Sequence, residues 1–211
     1  MLMKKILRVF LVFSLMLVSG YYVGVTLVDA HLMGLATPEF DFHVEKENYM
    51  LPVAVRVDMQ TGFKCSAFSC AYVMRHWGNE AYGDSIYGEI PYKMADGYVY
   101  PKGILSYLRD NGYEVGYHIG NLAALKNEIY GGHPAIVMIR IRPDRDWLHY
   151  VPVVGYTTDS IYVAESISEL CNSYGHSHTR SIATAEFERL WNTSAFRMPL
   201  YRNTFITAHR R

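Results

Sequence analysis

The sequence predicts a single α+β domain behind an apolar N-terminal segment. Two patterns indicate this class: helical periodicity dominates the middle of the chain, and β-branched apolar runs joined by short turns follow from residue 134 onward. Helices followed by closely linked strands are typical of α+β proteins, whereas alternating βαβ units would indicate a parallel sheet. The 211 residues, half of them hydrophobic, suffice for one sizeable core once the first thirty are set aside.

The composition excludes several classes of protein. Twenty basic and 20 acidic residues give a formal net charge of zero, and only 19% of the chain is charged, so no nucleic-acid-binding surface is expected. Three cysteines without a CxxC pair are too few for a disulfide scaffold. An aromatic content of 14% argues against disorder.

The N-terminal segment resembles a membrane-targeting sequence. Lys4, Lys5 and Arg8 precede the stretch Val9–Val28, which contains no charged side chain. As a helix of about 1.5 Å per residue, this stretch spans roughly 30 Å, the thickness of a bilayer core. Basic residues before it and acidic residues after it predict that the N-terminus faces inward and the remainder outward.

Two interpretations of residues 1–30 remain open. The small residues around Val28-Asp29-Ala30 have the spacing of a signal-peptidase site, which favours a secreted product. The apolar run is longer than the roughly 7–15 residues of a signal-peptide core, which favours a retained transmembrane anchor. In both cases the remainder of the protein is expected to lie outside the cytoplasm.

Helices are predicted next along the chain. Residues 31–51 form an irregular lead-in, and the domain is expected over residues 52–211. Apolar residues recurring at spacings of three and four predict three helices: Ser66–Trp77, Lys102–Asn111, and one that Asn121 caps and Gly131-Gly132 ends. Residues 79–100 are rich in Gly and Tyr without clean periodicity, and they are predicted to form a loop.

Strands are predicted in the last part of the chain. Their apolar, β-branched runs are Pro134–Ile141, Tyr150–Tyr156 and Ile161–Ala164, with Thr157–Ser160 as a hairpin turn. Thr184 is expected to cap a short helix through Trp191, and Phe196–Tyr201 is expected to form the last strand.

Cys65 is the candidate nucleophile because it is predicted to lie at the start of the first helix of the domain. Unpaired N–H groups and a partial positive charge at a helix start favour the thiolate form of a cysteine. Gln60 precedes it by five residues and could donate an amide N–H to an oxyanion, together with the Cys65 backbone N–H.

A thiol nucleophile needs a base and an orienting group. His149 opens the predicted strand Tyr150–Tyr156, and Glu165 closes the next strand. In a hairpin of this length the two strand ends can lie side by side. The candidate order along the chain is therefore Gln, Cys, His, carboxylate.

These motifs resemble the bacteriocin-processing branch of the papain-like cysteine peptidases, cysteine peptidase family thirty-nine and its relatives. The matching segments are Gln60-Thr-Gly-Phe-Lys-Cys65, the helix end His76-Trp77-Gly78, and His149-Tyr-Val-Pro-Val-Val-Gly155-Tyr156. The resemblance spans about residues 52–200. It implies a papain-like fold, with N-terminal helices packed on a mostly antiparallel C-terminal sheet.

The resemblance also implies roles for four residues. Cys65 would be the nucleophile, His149 the general base, Gln60 the oxyanion donor and Glu165 the orienting acid. The chain departs from the family pattern in three ways: Ser66 replaces a glycine, Gln60 is one residue closer to the cysteine than usual, and Glu165-Ser166 replaces Asp-Pro.

The expected function is thiol-dependent hydrolysis of a peptide or amide bond in a peptide or protein substrate, with the N-terminal segment as the membrane contact. Two alternatives are a catalytically inactive peptide-binding module, favoured by Ser66 and Glu165, and an acyl-transfer enzyme with the same triad. The absence of a GxxxxGK[ST] loop excludes a complete transporter of the kind that often carries such domains.

No metal or organic cofactor is expected. Cys171, His176 and His178 match no closed zinc site and are interpreted as a polar loop. Cys70 and Cys171 could form a disulfide outside the cytoplasm, or could be two separate buried thiols.

Overall fold

The computed structural model describes residues 2–173, 178–194, 198 and 201–210. The helices in these ranges are α1 (Leu2–Met33), α2 (Cys65–His76), α3 (Gly83–Glu89), α4 (Pro101–Asp110), α5 (Leu122–Tyr130) and α6 (Thr184–Trp191). The strands are β1 (Thr37–Glu39), β2 (Tyr49–Met50), β3 (Tyr113–Gly120), β4 (Ala135–Arg142), β5 (Arg145–Tyr156), β6 (Ser160–Val163), β7 (Arg180–Ala183) and β8 (Thr204–Arg210).

The strands form one sheet in the order β1-β3-β8-β4-β5-β6-β7, and β2 pairs with β5. All pairings are antiparallel except that of β1 with β3. The long strands β4 and β5 form a hairpin in which Ile139 lies opposite His149. Because β5 continues into β6 through a short turn, the end of β6 is carried back toward the middle of β5.

Helices cover both faces of this sheet. Alternate residues of β4 belong to two separate hydrophobic clusters: Ile136 and Met138 pack with α2 and α4, whereas Val137 and Ile139 pack with α5 and α6. Since side chains alternate across a strand, the two clusters lie on opposite faces. The predicted α+β architecture is confirmed, with helices on both faces of a mostly antiparallel sheet.

Helix α1 is long and apolar enough to cross a membrane. Within Lys4–Met33, the most apolar stretch of 18 residues has a mean hydropathy of 2.0 and is not buried by the rest of the protein. The last residue of the helix, Met33, is fully buried in the domain core. Lys102 Nζ from α4 also lies 3.3 Å from His31 Nδ1 in the last turn of α1. The helix therefore continues without a break into contact with the domain.

Several predicted elements are confirmed. Helices α2, α4 and α5 lie within a few residues of their predicted bounds, and the Asn121 side chain accepts a hydrogen bond of 3.0 Å from Ala124 N, as an N-cap does. The turn Thr157–Ser160 closes with a backbone hydrogen bond of 2.8 Å between its end residues. Strand β5, however, begins at Arg145, earlier than predicted.

Other predictions are wrong. Residues 79–100 contain α3, whose Gly83 allows close contact with the Phe68 ring of α2. Thr184 does not cap α6, because Ala183 occupies the N-cap position and the Thr184 hydroxyl donates to Thr158 O at 3.3 Å. Strand β3 was missed because two glycines and a glutamate weaken its pattern, while pairing with β8 and β1 supplies its stability.

The predicted strand Phe196–Tyr201 lies largely outside the described residues. In the part of the chain that the structure describes, the last strand is β8, which begins at Thr204 and pairs with both β3 and β4. Five of its residues are buried between these neighbours, so tertiary pairing rather than local sequence determines it.

Two serines on α2 provide a matched test of the packing between this helix and β5. Ser69 Oγ donates to Tyr150 O at 3.1 Å, whereas the buried Ser66 hydroxyl has no hydrogen-bond partner among the described residues. We expect Ser69→Ala to lower the free energy of unfolding by about 1 kcal/mol and Ser66→Ala to raise it by about 1 kcal/mol, because a buried unpaired hydroxyl is destabilising. Guanidinium unfolding of the detergent-solubilised full chain, followed by tryptophan fluorescence, measures both; equal effects of the two substitutions would contradict the assignment.

Candidate active site

Cys65 is the first residue of helix α2 and is buried. Lys64 occupies the N-cap position, so the cysteine lies at the helix start, as the sequence predicts. The first N–H groups of a helix lack the usual partner one turn earlier and give this end a partial positive charge. Because Ser69 of the same helix is hydrogen-bonded to the carbonyl of Tyr150, α2 packs against β5 directly beside His149.

His149 lies within β5 and is only 1% exposed. Its Nε2 lies 2.7 Å from Glu165 Oε1, so the two predicted partners are in direct contact. The Cys65 side chain also interacts with the His149 ring, and this interaction raises the pKa of the imidazole. Since Nε2 faces Glu165, Nδ1 is the ring nitrogen left for the thiol. Histidine thus bridges the thiol and the carboxylate.

Glu165 follows β6 and is fully buried. Besides His149, its Oε1 accepts a hydrogen bond of 2.9 Å from the backbone N–H of Ile167. Its Oε2 accepts one of 3.1 Å from Arg180 Nη1 at the start of β7. A buried carboxylate is strongly destabilising unless it is paired and hydrogen-bonded, and here both oxygens are.

The contacts shift the pKa values of the buried pair in opposite directions. Burial alone would lower the pKa of His149, but the charge of Glu165 and the interactions with Cys65 and Glu165 outweigh it and raise that pKa from 6.5 to about 10. Burial alone would raise the pKa of Glu165, but its charge and hydrogen-bond contacts with His149 outweigh it and lower that pKa from 4.5 to about 2. The pair is therefore imidazolium and carboxylate at neutral pH.

Gln60 is held by the segment that carries Glu165. The backbone N–H of Gln60 donates to Ser166 O at 2.8 Å, and the Ser166 hydroxyl donates to Gln60 Oε1 at 2.7 Å. One N–H of the amide donates to Gly62 O at 2.7 Å. The amide carries a second N–H, which remains the candidate oxyanion donor. Ser166, which stands where the resemblance leads one to expect proline, thus fixes the orientation of Gln60.

A cleft of about 440 Å³ opens beside these residues. Gln60 and Phe63 line it from the loop before α2, and Ile167 lines it from the segment after Glu165. The β4–β5 hairpin contributes Arg142 and Trp147, with the indole about half exposed. The cleft offers apolar rings and cationic groups to a bound molecule, together with the carboxylate of Glu169. Cys65 and His149 are not among the residues that line it.

The sequence does not indicate the roles of Arg180 and Ser166. Arg180 opens a short strand that was not predicted, and its only sequence signal was a charged residue within an otherwise ordinary stretch. Its guanidinium is buried, so a charge partner was necessary, but burial is not visible in the sequence alone.

The remaining cysteines are free thiols, so the predicted alternative of separate thiols is the one the structure contains. Burial raises the pKa of Cys70, and burial together with the Glu165 charge raises that of Cys171. Of the predicted polar loop, His176 lies outside the described residues, and His178 Nε2 lies 3.0 Å from Ser173 Oγ.

Comparison with known proteins identifies one family. Residues 52–198 match the family described as Peptidase_C39 like. No curated protein matches the sequence.

Several solved structures share the fold. The peptidase domain of Streptococcus ComA, a bi-functional ABC transporter involved in quorum sensing, is 14% identical, with a TM-score of 0.54 over 73% of this chain and 97% of that domain. A C39-like peptidase from Bacillus anthracis is 14% identical, with a TM-score of 0.57 over 79% of this chain and 99% of the other. A double glycine motif protease from an AMS/PCAT transporter, in complex with the leader peptide, is 16% identical, with a TM-score of 0.52 over 80% of this chain and 97% of the other.

The buried pair predicts a specific pH dependence of stability. The His149 pKa is raised on folding, so His149 contributes to the free energy of unfolding. This contribution is complete below about pH 6.5 and decreases as the pH rises toward 10. The Glu165 pKa is lowered, so its contribution is complete above about pH 4.5 and decreases as the pH falls toward 2. We therefore expect Glu165→Gln to lower the free energy of unfolding most at pH 5–6, by about 3 kcal/mol or more, and less at pH 9.

Denaturant unfolding at both pH values measures this difference. Glu169→Gln is the matched control, because Glu169 is an exposed carboxylate four residues further along the same segment. A loss caused by Glu165→Gln that is the same at pH 6 and pH 9 would contradict the ion pair.

Proposed function

The chain belongs to the Peptidase_C39 like family, and from that premise we propose that it is a cysteine peptidase that uses Cys65, His149 and Glu165, with Gln60 as oxyanion donor. The observation that carries the proposal is the continuous chain of contacts from the thiol at the start of α2, through His149, to the buried carboxylate. This order matches the roles of nucleophile, base and orienting group.

We take the proton of Cys65 to reside on His149 in the resting site, in line with the raised His149 pKa, and in the first step the thiolate attacks the carbonyl carbon of the substrate. The carbonyl π electrons move onto the oxygen, which accepts hydrogen bonds from the Cys65 backbone N–H and the Gln60 amide. The C–N bond then breaks as the leaving amine takes the proton from His149. The products of this step are a thioester on Cys65 and a free amine.

In the second step water replaces the amine. His149 accepts a proton from water while the water oxygen attacks the thioester carbon, and the C–S bond breaks to release the carboxylic acid and regenerate Cys65. The fixed position of Glu165 matters in both steps, because it keeps His149 Nε2 engaged and leaves the opposite ring nitrogen to exchange protons.

A peptide is the substrate that this arrangement favours. The cleft beside Gln60 is open along the β4–β5 hairpin and presents Trp147 and Phe63 as exposed rings, which suit apolar side chains. Arg142 and Arg145 at its rim suit an acidic group or a carboxylate. The structural neighbour in complex with a leader peptide supports a peptide substrate.

We also propose that residues 1–30 form a membrane anchor, residues 31–51 a connecting segment and residues 52–211 the peptidase domain, outside the cytoplasm. The support is the length and hydropathy of α1, the basic residues at its start, and its continuation into the domain core at Met33. The candidate cleavage site at Ala30 lies inside this continuous helix, which favours retention of the anchor. β1 and β2 of the connecting segment join the domain sheet.

The two thiols of α2 provide the test of the proposed function. We expect Cys65→Ala to abolish cleavage of a proteome-derived peptide library by the detergent-solubilised full chain, because the nucleophile is removed. Cys70→Ala should retain cleavage within about threefold, because Cys70 is a buried thiol on the same helix that contacts no reacting group. Mass spectrometry of the newly formed peptide ends measures both.

Cleavage that survives Cys65→Ala would overturn the proposal. A wild-type chain that produces no new peptide ends at all would also overturn it, in favour of an inactive peptide-binding module.

A further inference from the structure

A second cluster of titratable side chains lies where α5, the turn before β4 and the end of β8 meet. Glu128 lies in the last part of α5, His133 lies in the turn before β4, and His209 lies near the end of β8. One ligand atom from each of the three lies within 4.8 Å of the others. The two imidazole rings are tilted by 57° to each other, with centroids 4.2 Å apart.

The carboxylate of Glu128 is aimed between the two rings. Its Oε1 lies 3.3 Å from His133 Nδ1 and 3.0 Å from His209 Nε2. This oxygen is buried, yet neither approach has hydrogen-bond geometry, and it has no other hydrogen-bond partner among the described residues. A buried carboxylate oxygen without a donor is destabilising unless a cation neutralises it.

We propose that Glu128, His133 and His209 bind a divalent transition-metal cation of the zinc class. Two imidazole nitrogens and one carboxylate oxygen are a donor set that Zn²⁺ prefers, with a fourth position left for water. Donors about 2.1 Å from a tetrahedral zinc lie about 3.4 Å from each other, close to both distances from Glu128. The ligand atoms of the two histidines lie within 4.8 Å of each other, and bringing them to about 3.4 Å would close the site around the ion.

This site is separate from the candidate active site. His133 precedes β4, whereas His149 lies opposite Ile139 toward the other end of that strand. The cation would join the end of α5 and the adjacent turn before β4 to the end of β8, which is distant from both in sequence. Its effect would be to fasten the C-terminal strand to the helix that covers one face of the sheet.

Zinc titration of the full chain in detergent tests the proposal. The protein carries no affinity tag and has Cys65→Ala, so that the thiol and His149 cannot bind the metal together. We expect one saturable site by calorimetry, with Glu128→Gln and His209→Asn each weakening the affinity by at least about tenfold. His43→Asn, which removes an exposed imidazole outside the cluster, is the matched control and should leave the affinity unchanged.

Trp77 provides a second measurement that needs no substitution in the cluster. Its ring centroid lies 5.7 Å from that of His133, so a bound Cu²⁺ should quench the fluorescence of Trp77. We expect the quenching to saturate near one equivalent and to be reversed by excess Zn²⁺. Quenching that rises linearly without saturation, or a zinc affinity that is equal in the control and both cluster variants, would overturn the proposal.

Discussion

The structure of the candidate site depends on one constraint, the burial of the Glu165 carboxylate. An isolated carboxylate in a protein interior is destabilised by several kcal/mol or more, so the chain must bring donors to both of its oxygens. Arg180, His149 and the Ile167 backbone supply them from three different segments. The pairing of β5, β6 and β7 brings these segments together. The charged state of His149 therefore depends on this strand pairing.

The same constraint explains how the chain accommodates its departures from the family pattern. Glutamate is one methylene longer than aspartate, and Arg180 and Ile167 hold the longer side chain so that Oε1 still reaches His149. Ser166 replaces proline, and its hydroxyl and carbonyl fix Gln60. These two departures make contacts that orient Glu165 and Gln60.

Much of this arrangement is predictable from sequence, but only where local pattern is strong. The helix that begins at Cys65, the Asn121 cap and the β5–β6 hairpin all have clear periodicity or turn chemistry, and the pairing of His149 with Glu165 follows from the hairpin. β3 and β8 have weaker patterns and depend on each other for pairing. β3 was therefore not predicted, and β8 lies beyond the strand that was predicted near the end of the chain. The role of Arg180 requires the three-dimensional contacts, because its burial is not visible in the sequence. The cluster requires them because His209 is far in sequence from Glu128 and His133.

The most direct measurement of the central claim is the rate of Cys65 alkylation by iodoacetamide as a function of pH, in the full chain and in His149→Ala. The raised pKa values of Cys70 and Cys171 slow their alkylation, and mass spectrometry measures the label on Cys65 separately. We predict that Cys65 stays reactive well below pH 8.5, which is about the ordinary pKa of a cysteine thiol, and that this reactivity is lost when His149 is removed. A Cys65 that reacts with the pH profile of a free thiol, or equally in both proteins, would contradict it.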